Sequence, residues 1–202
     1  MYQEYTVRIQ EIVDLLRGRN PLPCLETDSV WDQQIVGLIQ NVSLSDLFEG
    51  LSVSNNDFGK CVQSGLLLWA DALDASHDIS QHIETRTGSY WHAIMHRREP
   101  DYSNSKYWFG RVGDHPIFPQ LRKEAIDTLA EFDDKPAVLS EIEYTIKNTS
   151  DWDPFKFVDW CQVANNSDEQ KTPSTLVNWL QKLQVVEFSN LLEYSFQQSL
   201  LT

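Results

Sequence analysis

A chain of 202 residues that is 41% hydrophobic and carries a formal charge of −14 has the length and apolar content of one packed domain. That charge repels nucleic acid and anionic lipid at long range and argues against both as partners. No apolar run approaches the ~18–20 residues of a bilayer span, and Met1–Leu16 reads as charged and amphipathic rather than as a secretion signal.

Val7, Ile9, Ile12, Val13, Leu15 and Leu16 recur at helical spacing, which predicts a first helix over 3–17, ended by Arg17-Gly-Arg-Asn-Pro-Leu-Pro23. Helices are expected at 29–40 and 44–49, the second capped by Ser43. Residues 57–74 read as a buried helix opened by Asn56 or Asp57, and the polar stretch 75–84 follows directly or after a kink. Gly88 is expected to break the chain. Residues 89–99 then form a helix stopped by Pro100, and 102–112 form another capped by Asp101 or Ser103. Gly113-Asp114-His115-Pro116 has turn composition. Helical patterns resume over 117–132, 137–147, 154–164 and 174–200, with Asn165–Lys171 as an exposed polar loop. Val, Ile and Thr do not alternate, so strands are unsupported. The fold expected is all-α: one domain over 1–202, a helical bundle or irregular orthogonal array of about seven to nine helices. The C-terminal helix at about 174–200 packs on it. Cys24, Cys61 and Cys161 are widely spaced and include no CxxC pair, as in a reducing, cytoplasmic setting.

One stretch departs from the rest. In GSYWHAIMHRREPDYSNSKYWFGRVGDHP (88–116), rings, histidines and charges interleave with few aliphatic residues. The window 88–118 carries about +1, against about −15 for the remainder. Such a window implies an anionic ligand or internal ion pairs. At ~100° per residue, His92, His96 and Glu99 fall in one narrow arc. Two imidazoles four residues apart can share one metal, and a carboxylate one turn on can complete a three-ligand edge. Trp91, Ile94 and Arg98 share another face, where a buried arginine needs a carboxylate or a ring beside it.

The preceding helix spaces Asp71, Asp74, His77 and Gln81 as one polar stripe if it runs through without a break. That brings His77 and Asp74 toward His92, His96 and Glu99 as metal ligands, with the histidines and Glu99 also serving as acid and base. Asn104, Tyr107 and Arg111 share a face of the next helix. Together with Arg97, Lys106 and His115 they are the candidates for holding an anionic small molecule. No GxSxG, Walker-type loop, GxGxxG or SxxK motif is present.

These residues carry a resemblance. LLLWADALDASHDISQ (66–81) followed by 88–116 resembles an uncharacterised family of helical, cytoplasmic-type proteins. Its pattern runs WxDxLDxSHxxSQ, then GxxWHxxxHRRExDxxNxKYWFxRVGxHP. The likeness covers about a quarter of the chain and departs at Gly110, where the pattern often has a second arginine. It implies that Asp74, His77, Gln81, His92, His96, Arg97, Arg98, Glu99, Asp101, Asn104, Lys106, Tyr107, Arg111 and His115 form one functional or architectural unit, and it implies no particular activity.

Three functions stay open on the sequence. The first is a hydrolase or oxidoreductase dependent on a divalent metal (Zn, Mn or Fe) and acting on an anionic small molecule. The second is a non-catalytic interaction or scaffold protein, in which the cluster is a structural network and an acidic surface engages a basic partner. The third is a metal-free sensor of a small ligand.

Overall fold

The computed structural model describes residues 2–166 and 172–201, with only the backbone of Asn166. Among these residues there are eleven helices and no strand. In chain order they are α1 (Val7–Arg17), α2 (Gln33–Gln40), α3 (Leu44–Leu47), α4 (Asn56–Trp69), α5 (Leu73–Ser80), α6 (Arg86–Arg98), α7 (Tyr102–Val112), α8 (Phe118–Leu129), α9 (Ala137–Asn148), α10 (Pro154–Asn166) and α11 (Ser174–Leu200).

The all-α class is as expected, while the number of helices exceeds the expected seven to nine. α3, at the expected position after its Ser43 cap, is a single turn that ends at Phe48. α5 is separate because the chain reverses hand at Asp71, whose φ of 64° cannot continue a helix. The stripe from Asp71 to Gln81 is therefore interrupted at its first residue. The expected 165–171 loop also changes: Asn165 and Asn166 close α10, and 167–171 lie outside the described residues.

Gly88 does not break the chain. It lies inside α6, whose start is set by Thr85 accepting a bond from the Gly88 amide. A Cβ at position 88 would come within 2.4 Å of the Ile83 side chain and 2.6 Å of its carbonyl oxygen, so glycine permits a close approach rather than a turn. Gly65 in α4 has the same role, since a Cβ there would meet the Trp91 ring at 2.5 Å. The two glycines let α6 sink against α4 and the 83–85 turn.

α6 is the central element. Every residue from Thr87 to Arg98 is buried, and α4, α5 and α7 pack around it. The long α11 runs past α4 and α8. It buries Leu176, Leu180, Leu183, Phe188, Leu191, Leu192 and Phe196 at helical spacing. Its buried face also carries Glu187, which fixes α6. Arg97 donates to Glu187 Oε2 at 2.6 Å and the Tyr90 hydroxyl donates to Oε1 at 2.9 Å. Arg97 also stacks 4.1 Å over Phe157 of α10.

Arg98, on the other side of α6, acts at the end of α4. It donates to the Leu68 carbonyl at 2.7 Å and to Asp71 Oδ1 at 2.5 Å, while Arg19 donates to the Trp69 carbonyl at 3.0 Å and to Asp71 Oδ2 at 2.6 Å. Two guanidinium groups thus satisfy carbonyls at the C-terminus of α4, where cations also complement the helix dipole. Asp71 bridges the two from its left-handed backbone, one carboxylate oxygen to each.

Both partners of the Arg97–Glu187 pair are fully buried. Removing one leaves an unpaired charge in the core, at a cost of about 3–5 kcal/mol, whereas replacing both by apolar groups restores much of that loss. In urea unfolding, Arg97→Met or Glu187→Leu alone is expected to be strongly destabilised, and the double variant to recover most of the lost stability. Additive losses would show that the charges do not act as a pair.

Candidate metal centre

α5 and α6 bring three imidazoles together. The coordinating atoms of His77, His92 and His96 all lie within 4.8 Å of one another, with His92 and His96 buried and His77 half-buried. His92 and His96 stand one turn apart on α6, their rings stacked at 4.7 Å. His77 meets both rings edge-on, at 4.8 and 5.5 Å between centroids. α7 closes the third side. The Trp108 ring stacks on His92 at 4.0 Å, and Asn104 Nδ2 lies 3.0 Å from His96 Nε2. Ser105, which donates to the Ala93 carbonyl at 2.8 Å, pins α7 to α6 at this level. Such a group can hold a metal ion.

Proton bookkeeping defines the state of the rings. His96 Nδ1 bonds Glu99 Oε2 at 3.0 Å. A carboxylate accepts only, so the His96 proton sits on Nδ1 and its Nε2 carries a lone pair. His92 Nε2 lies 2.9 Å from that lone pair and must donate. A neutral His92 then has no proton on Nδ1, which is buried without a well-formed hydrogen bond. The neutral pair thus leaves the Nδ1 lone pair of His92 buried without a partner.

Burial, then the His96 and His77 imidazoles, push His92 down to about 3. Burial also lowers His96, against the opposing pull of Glu99. Both rings are neutral at pH 7, the form in which imidazole coordinates metal.

The other expected site residues lie elsewhere or serve differently. Glu99 is more than half exposed and meets the His96 nitrogen remote from His92, as an orienting partner rather than a member of the coordinating group. Asp74 is exposed and lines a cavity of about 900 Å³ with Glu26, Asp28, Asp71, Asp78 and Glu99, a cavity without lysine or arginine in its walls. The expected anion-binding set does not converge. Arg97 is committed to Glu187 and Lys106 pairs with Asp159. Tyr107 is 60% exposed. Arg111 sits 5.0 Å from the Trp108 centroid. His115 is buried away from the three imidazoles, between the Thr87 hydroxyl at Nε2 (3.1 Å) and the Ile117 amide at Nδ1 (3.4 Å).

The sequence puts Asn104, Tyr107 and Arg111 on one face of α7. The side chains that meet the imidazoles are Asn104 and Trp108, whereas Tyr107 and Arg111 are exposed, and the i, i+4 spacing that pairs Asn104 with Trp108 was the available signal. Arg19 and Glu187, which fix the arginines flanking the site, have no local signal; they lie about 50 and 90 positions from their partners. No protein-family model, curated protein or solved structure matches this chain significantly.

His115 gives a pH dependence independent of the three imidazoles. Burial, and then the nearby Arg86 charge, push it from 6.5 to about 4. Between those values the unfolded chain binds a proton that the folded chain does not. Stability is therefore full above pH 6.5 and falls as the pH drops through the window, by up to roughly 3 kcal/mol at about 1.4 kcal/mol per unit. Urea midpoints measured from pH 4 to 7 should show this loss, and His115→Gln should make the slope shallower. An unchanged slope would remove His115 as a cause.

Proposed function

We propose that this chain is a metal-binding protein whose His77–His92–His96 centre serves metal-assisted hydrolysis of a small molecule. The observation that carries the reading is the convergence of three imidazoles whose coordinating atoms lie within 4.8 Å of one another, two of them meeting Nε2 to Nε2 at 2.9 Å. With a cation on the two facing Nε2 atoms, His96 would keep Nδ1–H for Glu99 and His92 would carry its proton on Nδ1. The carboxylate–imidazole–metal relay so formed, with the second ring nitrogen held by an outer acceptor, is the usual way proteins orient a metal-bound histidine.

The spacing supports it. For bonds of about 2.1 Å, adjacent ligand nitrogens stand about 3.0 Å apart at a right angle and about 3.4 Å apart at the tetrahedral angle. His92 and His96 are at 2.9 Å, and His77 closes the remaining gap by side-chain rotation. Three neutral ligands leave the full charge on a divalent cation. That charge acidifies bound water toward a pKa of about 7 and attracts an anionic oxygen of the substrate. Zinc suits this chemistry; imidazole ligands also accept iron, and manganese is the third candidate.

A second reading rests on the hydrogen bonds themselves. The chain His92–His96–Glu99, with Asn104 beside it, also serves as a strut between α6 and α7. The two readings separate experimentally. Under the first, zinc, manganese or iron raises the melting temperature of chelator-treated protein, as about 2.7 kcal/mol of linkage at a hundredfold excess over Kd requires. His92→Ala and His96→Ala abolish that rise, and Glu99→Gln weakens the metal about 10–100-fold. Turnover of ester and phosphate substrates should depend on the same metal and the same histidines. A melting temperature indifferent to all three metals, and lowered by His92→Ala alone, would leave the strut.

A further inference from the structure

We propose that the acid-walled cavity between the 26–40 segment and α5 is a binding site for a linear aliphatic polyamine. The site lies beyond the metal reading and does not depend on it.

The cavity has the size of a ligand site and is formed before any ligand arrives. Its volume of about 900 Å³ falls within the roughly 300–1,000 Å³ of small-molecule pockets. The segment that makes one wall is tied down by its backbone. The Thr27 amide donates to the Arg98 carbonyl at 3.2 Å, and the Trp31 amide donates to the Ala70 carbonyl at 3.1 Å.

Polarity divides the lining. Val30, Val36, Ala72 and Leu73 are buried or half-buried, whereas Glu26, Asp28, Asp74, Asp78 and Glu99 are exposed. The base is therefore apolar and the mouth acidic. Arg19 and Arg98 lie behind the wall, both bonded to Asp71, and six lining carboxylates against those two guanidinium groups leave the cavity negative. Among the described residues, Glu26, Asp28 and Asp74 have neither an ion pair nor a hydrogen bond. Folding leaves this concentration of like charge uncompensated, and a bound cation compensates it.

The arrangement also selects the class of cation. A bare metal ion needs carboxylates that converge on one point. Among the described residues, the side chains gathered in that way are His77, His92 and His96, and the cavity carboxylates are spread around its walls. Charges set apart on the protein call for charges set apart on the ligand, and the apolar base calls for methylene groups between them. No aromatic side chain lines the cavity, so a flat aromatic cation finds no ring to stack on. A basic peptide matches the charges but brings backbone amides that the apolar base leaves unpaired. A linear polyamine places ammonium groups at the mouth and methylenes on the base.

The test is calorimetric titration of the full chain, freed of metal by chelator and dialysis, at about 0.15 M salt to suppress diffuse attraction. The probes are spermine, magnesium chloride and tetralysine. Spermine should bind at one equivalent, more tightly than the other two, and raise the melting temperature. The triple variant Glu26→Gln, Asp28→Asn, Asp74→Asn should bind it at least about tenfold more weakly, from a few-fold for each lost pair. These side chains are exposed and unpartnered, so the variant keeps its fold. A control triple, Asp133→Asn, Asp134→Asn, Glu141→Gln, removes the same charge from exposed positions outside the cavity and should leave the affinity unchanged. Equal losses in both triples, or several equivalents bound, would overturn the cavity in favour of diffuse attraction to an acidic surface. Tetralysine binding more tightly than spermine would overturn the polyamine in favour of a basic peptide, and no binding of spermine would overturn the site. The protein holds no metal in these titrations, so each of these failures leaves the histidine centre to its own test.

Discussion

From Thr87 to Arg98, α6 is buried on every side although that stretch carries two arginines, two histidines and a tyrosine. A helix with an apolar stripe can leave its charges in water. α6 cannot, so each charge has to find its partner inside the protein. Arg97 draws Glu187 of α11 into the core, and Arg98 draws Asp71 to the end of α4. These two contacts point in different directions from adjacent residues, and together they set the rotation of α6 about its axis. Once that rotation is fixed, the face one turn away, carrying His92 and His96, is held toward α5 and α7. The placement of the imidazoles follows from the satisfaction of the arginines.

The histidines are treated differently from the arginines. Each of these two guanidinium groups meets a carboxylate, whereas among the described residues the carboxylate bonded to the imidazoles is Glu99, more than half exposed, at the outer edge of His96. Imidazole has an alternative that guanidinium lacks: it can shed its charge and remain a strong polar group. Burial exploits that, holding His92 and His96 neutral beside the half-buried His77 ring. Burying rings in this way would be a poor route to stability on its own, because each leaves ring nitrogens that need partners. The same arrangement suits a shared cation, which answers several lone pairs at once.

The helical class was legible in the sequence because periodic apolar residues and caps such as Ser43 and Asp101 act locally. The His92/His96 pair and its link to Glu99 were legible for the same reason: spacing on one helix is sufficient to place them. Two other kinds of information were not local. Gly88 looks like a breaker, and its use as a contact point becomes visible only when Ile83 is seen folded against it. The expected anion-binding role of Arg97 failed for a related reason: its partner lies 90 residues away in a stretch of α11 with no local feature that marks Glu187 as a core residue. The stripe drawn through Asp71 assumed an unbroken helix, while the pull of Arg19 and Arg98 on its carboxylate favours the left-handed turn that ends α4.

Charge around the centre gives the order in which ligands would be accommodated. The carboxylates acting on His96 are Glu99 and Asp101, and the broad cavity behind Glu99 is walled by acids alone among its charged residues. Among the described residues, neither lysine nor arginine is bonded to any of the three rings. A free anion approaching the metal-free site therefore meets neutral imidazoles in a negative surround and gains little. A divalent cation gains from both the lone pairs and the surrounding field. Once bound, it supplies the positive charge that the expected arginines do not. Under the proposed function, recognition of an anionic substrate would be a property of the metal-loaded protein, because Arg97 and Arg98 of the basic window are spent on ion pairs that build the core.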